Sequence, residues 1–252
     1  MMGLVSIDFT SYNESIPQAL DALGARKIIS RQTAILIKPN LVNASPHPVT
    51  TPPECCEAII HYIRSCTDAP VIIGEGCGDS YLETHQVFDR LGYGDLSHRL
   101  GVKLVDLNRE PLVRLQDKNC RIFKEMYLPE IAFTHFLISV PVLKAHSYSD
   151  ITGTLKNMMG LAPPEHYSGP SGSWKKALFH NHMHQSIVEL NRYRTPDLSI
   201  MDATIGLADF HLGGSHCSPP ANKILAGFDP RELDREAATM LGYLWRDIPH
   251  LL

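Results

Sequence analysis

The chain has 252 residues, 44 % of them hydrophobic and 20 % charged, and a net charge of −4 from 23 Lys plus Arg against 27 Asp plus Glu. Those values suit a globular domain spanning 1–252 and exclude a disordered chain. The charge balance lacks the concentrated basic surface of a nucleic-acid binder, the apolar runs are too short for a bilayer, and the N-terminal stretch with Asp8 and Glu14 is no secretory signal. A cytoplasmic protein that engages neither nucleic acid nor membrane is expected.

Leu4–Phe9 reads as a first strand. A helix follows in which Ile16, Ala19, Leu20 and Leu23 form one apolar stripe and Gly24 stops it. The strand Thr33–Lys38 runs into Pro39 and Asn40. Thr51-Pro52-Pro53-Glu54 then reads as a capping threonine, a proline at the first helical position and a capping-box glutamate, ahead of Ala58, Ile59, Tyr62 and Ile63. Val71–Gly74 opens into Glu75-Gly76-Cys77-Gly78-Asp79. Val102–Asp106, Phe136–Val140, Leu198–Met201 and Lys223–Ala226 read as further strands. Pro163–Ser173 reads as a loop long enough for a mobile lid. Asp229-Pro230-Arg231-Glu232 repeats the helix-start pattern before Leu233, Ala237 and Met240. Near-continuous apolar strands alternating with helices predict an α/β fold: a mainly parallel sheet flanked by helices, with its site at the strand carboxyl ends.

The six cysteines, Cys55, Cys56, Cys66, Cys77, Cys120 and Cys217, include no Cys-x-x-Cys pair. No zinc-ribbon or iron–sulfur cluster motif is therefore written in this chain, and reduced structural thiols are expected.

Polar residues recur at the strand ends: Lys38 and Asn40, Glu75, Asp106, Lys144 and His146, Asp202, Asp229. Acidic residues there often cap the next helix, which suits Asp106 and Asp229. Lysine is a poor cap and is seldom buried without a partner, so Lys38 and Lys144 point to an anion pocket or to an acid–base or Schiff-base lysine. The glycines of Gly74–Gly78 alternate and lack dinucleotide-fold or P-loop spacing, leaving a backbone anion nest or a plain tight turn. Thr152-Gly153-Thr154-Leu155-Lys156-Asn157 suits a helix start whose N–H groups, with Lys156 and Asn157, hold a carboxylate or phosphate, or else a solvated first turn. On a continuous helix, His180 and His184 would share a face and offer a divalent-metal pair, against the commoner fate of packed imidazoles. His211 and His216, in a loop around Gly213-Gly214, are weaker candidates.

Together, Ile37-Lys-Pro-Asn-Leu41, Val140-Pro-Val-Leu-Lys-Ala-His146, Thr152–Leu161, the Met-Asp202-Ala strand end and Ile224-Leu-Ala-Gly-Phe-Asp-Pro230 resemble the domain-of-unknown-function family 362. The resemblance covers most of the chain. Many members of that family carry an appended ferredoxin-type iron–sulfur segment, which implies redox work, with electrons here coming from an iron–sulfur partner.

The leading expectation is an enzyme acting on a small anionic organic molecule. Lys38, Asn40 and Lys144 hold the anion, with Thr152, Lys156 and Asn157 adding donors; His146 moves a proton, and Glu75 or Asp202 orients a base or metal. A second reading is a redox or metal-binding protein using His180 and His184. A third is a non-catalytic ligand-binding or accessory subunit, in an oligomer or complex, motivated by the apolar C-terminal stretch Trp245–Leu252.

Overall fold

The computed structural model describes residues 3–169 and 175–252. Its strands are β1 (Leu4–Asp8), β2 (Ile35–Pro39), β3 (Val71–Glu75), β4 (Lys103–Asp106), β5 (Leu112–Gln116), β6 (Glu125–Pro129), β7 (Phe136–Val140), β8 (Val142–His146), β9 (Asp150–Thr152), β10 (Leu198–Leu207) and β11 (Lys223–Gly227). The main sheet has the order β1-β11-β10-β7-β2-β3-β4, with β8 continuing β7 beyond Pro141 along β10, and β9 paired to β8. Only β9 and β11 run against the others in it. The fold is α/β with a mainly parallel sheet, as the alternation of elements predicts.

Strand pleating divides the interior into two cores. In β2, Ile35 and Ile37 face the core shared with helices Tyr12–Leu23 and Pro53–Arg64, while Leu36 faces the core under helices Met183–Tyr193 and Pro230–Met240. The same alternation holds at Leu137 and Ile138 and at Ile200 and Met201. Both faces are covered, so these strands are apolar on both sides and legible as runs.

The strands β2, β3 and β4 step outward one way, and β7 and β10 step the other, so the order reverses between β2 and β7. At such a switch point the outgoing loops part and leave a crevice beyond the carboxyl ends. Lys38 and Pro39 end the strand there, opposite Ser139 and Val140, and Asn40 follows them out of the sheet.

Gly24 ends the first helix with φ 74°, a left-handed conformation its missing Cβ tolerates. Asp229 caps its helix, accepting from the backbone N–H groups of Arg231 and Glu232. Thr51 does not cap the second helix, which begins at Pro53. Its Oγ1 instead accepts from Asn40 N at 2.9 Å and donates to Val140 O at 2.7 Å, pinning the ends of β2 and β7 together. The segment expected as a lid is partly fixed: Pro164–Tyr167 is a helical turn, and buried Tyr167 packs on Phe123 and Phe179. The remainder of that stretch, 170–173, lies outside the described residues. The hairpin β5–β6 had no recognised sequence signal, because Leu112–Gln116 is only partly buried and interrupted by Arg114. At the C-terminus, Ile248 and Leu251 are buried in the chain's own second core, and Arg235 donates to Leu251 O. Among the described residues, no helix is long and apolar enough to cross a membrane.

Thr51→Val keeps the shape but orphans the buried Asn40 N–H. The expected loss is about 1–3 kcal/mol, the cost of an unsatisfied buried donor, read from urea unfolding. An unchanged midpoint would show that the threonine pin contributes nothing.

Candidate functional site

The parity of β2 turns Lys38 toward the face that carries Leu36, and there helix Thr154–Asn157 meets it. Lys38 is fully buried. Its Nζ donates to Glu75 (2.8 Å to Oε1, 3.0 Å to Oε2), to Asn157 Oδ1 at 3.1 Å and to Pro39 O at 3.1 Å. The ammonium's donors are thus all engaged. Burial pulls the lysine below its ordinary range while Glu75 opposes the shift. Glu75 is filled as well: Leu41 N donates to Oε2 at 2.9 Å and Gly76 N to Oε1 at 2.8 Å. Asn157 donates to Ser139 Oγ at 3.0 Å and accepts from Asn40 Nδ2 at 3.1 Å. This network is a floor.

Above the floor lies a cavity of about 550 Å³. Eight of the nine residues expected from sequence to act as catalytic or substrate groups line it: Lys38, Asn40, Glu75, Lys144, His146, Thr152, Lys156 and Asn157. The family model for the domain of unknown function (DUF362) matches residues 35–239, which includes all of them. The chain belongs to this family. No curated protein matches it.

The ninth residue, Asp202, is elsewhere in this DUF362 chain. It shares the β10 face of Ile200, two residues before it, and so points into the opposite core. There it accepts from Tyr12 OH at 2.7 Å, from Thr204 N at 2.9 Å and from His47 Nε2 at 3.2 Å. Burial pushes its carboxyl up, but His47 and these hydrogen bonds hold it below the usual range.

The cavity's lysines differ sharply. Lys144 is buried, and among the described residues its one hydrogen bond goes to Val49 O at 2.6 Å. Burial pushes it well below the ordinary lysine range, nearby Lys156 adds to the shift, and Glu75 opposes it. Lys156 makes no hydrogen bond or ion pair among the described residues, and burial lowers it to about 8. Lys176, which the sequence reading missed, donates to Asn108 Oδ1 at 2.5 Å and to Ala162 O; burial brings it to about 7. No strand end announces Lys176, and only its packing against Asn108 and Ala162 brings it to the site.

His146 Nδ1 accepts from Tyr148 N at 3.0 Å, which assigns the ring's proton to Nε2. Burial and the surrounding amines push this imidazole far down, and they lower His211, stacked on it at 3.7 Å, to about 3. Both rings are neutral at physiological pH.

Two expected anion sites are filled from within. The backbone N–H groups of Gly76, Cys77 and Gly78 donate to Glu75, Thr84 and Val42 respectively, so this loop has already committed them within the protein. The helix start at Thr154 does hold a carboxylate, but it is the protein's own: Asp234 accepts from Thr154 N at 2.6 Å and Leu155 N at 2.9 Å.

His180 and His184 do not share a helix. Ala177–His180 ends before Met183–Tyr193 begins, so the i, i+4 geometry fails. His180 reaches the cavity, whereas His184 pairs with His250 at 2.9 Å. His211 also lines the cavity; His216 lies in a bridge to Leu207. All six cysteines are free, and burial pushes the Cys77 thiol up. Among the described residues, no three His, Cys, Asp or Glu side chains are grouped as metal ligands.

Gly160 approaches the floor so closely that an added Cβ would collide with the Glu75 carboxylate and lie 2.5 Å from Lys38 Nζ. Gly160→Ala should therefore lower stability by about 1–3 kcal/mol, as overpacking does. It should also weaken any ligand bound in the cavity. A variant with unaltered melting and ligand binding would mean that the floor yields freely.

Proposed function

We propose that this chain is an enzyme that binds an organic anion at the carboxyl end of its sheet and moves a proton beside the anionic group. One observation carries the reading. Lys144, Lys156 and Lys176 line a single cavity without a carboxylate partner within ion-pair distance among the described residues, while the cavity's other lysine is already matched by Glu75. Burial makes an unmatched amine shed its proton more readily, and an anion bound directly beside it, as at Lys156 and Lys176, restores that proton.

In this reading Lys156 and Lys176 supply the positive charge that holds the anion, and Thr152 adds a hydroxyl. Lys144, held neutral by burial, presents a lone pair as the base. The His146 Nε2–H donates to the oxygen on which charge develops, as a neutral imidazole can. Lys38, Glu75, Asn40 and Asn157 keep these groups in place without spending donors on the ligand.

Anion binding must then be coupled to proton uptake. Lys176 titrates at about 7 and Lys156 at about 8 in the empty cavity. A bound anion raises both, so protons are taken up between those values and the bound-state ones, and affinity declines as pH rises. Calorimetric titration with carboxylates and phosphate monoesters, in buffers of different ionisation enthalpy, measures this directly. The expected result is net proton uptake near pH 8 and binding weaker by more than about tenfold near pH 9 than near pH 7. Binding that ignores pH, or that favours neutral analogues, would overturn the proposal.

Lys144→Met removes the amine and keeps the volume. A buried, poorly partnered amine opposes folding, so the variant should melt at or above the parent temperature, by about 1 kcal/mol of added stability. It should lose turnover of whichever anion the parent converts. Unfolding would instead make Lys144 a structural residue.

A further inference from the structure

Seven large hydrophobic residues are exposed among the described residues, and four of them ring this one cavity: Tyr81 at 94 % exposure, Tyr148 at 58 %, Phe210 at 45 % and Leu212 at 41 %. The lining accounts for about a tenth of the chain, so scattered apolar surface does not explain that concentration. Clustered exposed apolar groups around a concave site mark what the site binds.

The aromatic surface also continues inward. Phe210 meets His211 edge-on at 4.9 Å, and His211 stacks on His146 at 3.7 Å, which lies 6.3 Å from Tyr148. Tyr148 in turn meets His180 edge-on at 5.9 Å. These imidazoles are pushed toward the neutral form, so they present ring faces and not charges. An aromatic wall thus runs from the open rim to the amines. The volume, about 550 Å³, lies within the roughly 300–1,000 Å³ of pockets that enclose ligands much larger than a two- or three-carbon acid.

We propose that the ligand is an aromatic anion, with its charged group at Lys156 and Lys176 and its ring system against Tyr148, His211 and Phe210. This rests on the anion reading above and narrows it: a compact acid would leave the wall and rim wet. Ring faces pair with planar ligands by stacking or edge-on contact, each adding to the area term.

The test is a series of probes on the full chain: acetate, benzoate, 2-naphthoate and the neutral 2-naphthamide, with dissociation constants from calorimetry and from naphthoate fluorescence. Affinity should rise by about tenfold with each added ring. A Tyr148→Ala, Phe210→Ala double variant alters only exposed side chains and should retain its fold. It should weaken 2-naphthoate by about tenfold and leave acetate unchanged. Lys156→Met should weaken every acid alike. Acetate as tight as 2-naphthoate, or 2-naphthoate indifferent to the double variant, overturns the aromatic proposal while the anion site survives. Equal affinity for 2-naphthoate and 2-naphthamide overturns the anion reading and leaves the aromatic wall standing. No binding by any probe overturns both.

Discussion

A lysine and a glutamate stripped of water beneath a sheet's carboxyl edge are stable only if every donor and acceptor between them is satisfied, and Lys38 with Glu75 meets that demand. Isolated burial of either charge would be prohibitive. The surrounding chain is therefore constrained: Leu41 and Gly76 must present their N–H groups, Asn157 must turn its oxygen to the ammonium, and Gly160 must lack a side chain. Buried ion pairs are by themselves weak evidence for stability, because desolvation offsets much of their attraction. The work of this pair is to fix, relative to one another, the ends of β2 and β3 and the turn that carries Lys156.

That rigidity is what lets the lysines above remain unmatched. Burial lowers all three amines without a neutralising carboxylate: Lys144 loses its charge, Lys176 at about 7 loses part of it, and Lys156 at about 8 keeps most of it at neutral pH, so the empty cavity holds fewer cations than lysines. A site built this way keeps its electrostatic capacity for an incoming anion. The contrast with Lys38 is instructive, since one residue type serves two ends according to whether an acceptor set surrounds it.

Several elements resisted sequence reading for identifiable reasons. Thr51 sits in a sound capping pattern, yet its hydroxyl finds better use between two strands, because the competing backbone groups there are buried and need partners. The histidine pair failed because the helical period was carried across Asn181 and His182, where the helix breaks. Asp202 looked equivalent to the other strand-end residues, but strand parity sends it to the opposite core. Each error came from extending a local pattern one step beyond the segment that sustains it.

The alternation of most strands and helices along the chain, the mainly parallel sheet, the placing of Lys38, Glu75, Lys144 and His146 at strand ends and that of Lys156 at a helix start were legible in the sequence. Apolar runs, caps and turn residues are local, and the loops at the carboxyl edge converge by the geometry of the fold class. What tertiary structure alone decided was which of those polar residues share a cavity and in what charge state. Parity removed Asp202, packing delivered Lys176 and the aromatic rim, and burial separated a saturated lysine from three unmatched ones. Desolvation depends on atoms far apart in the chain, so no local pattern encodes it.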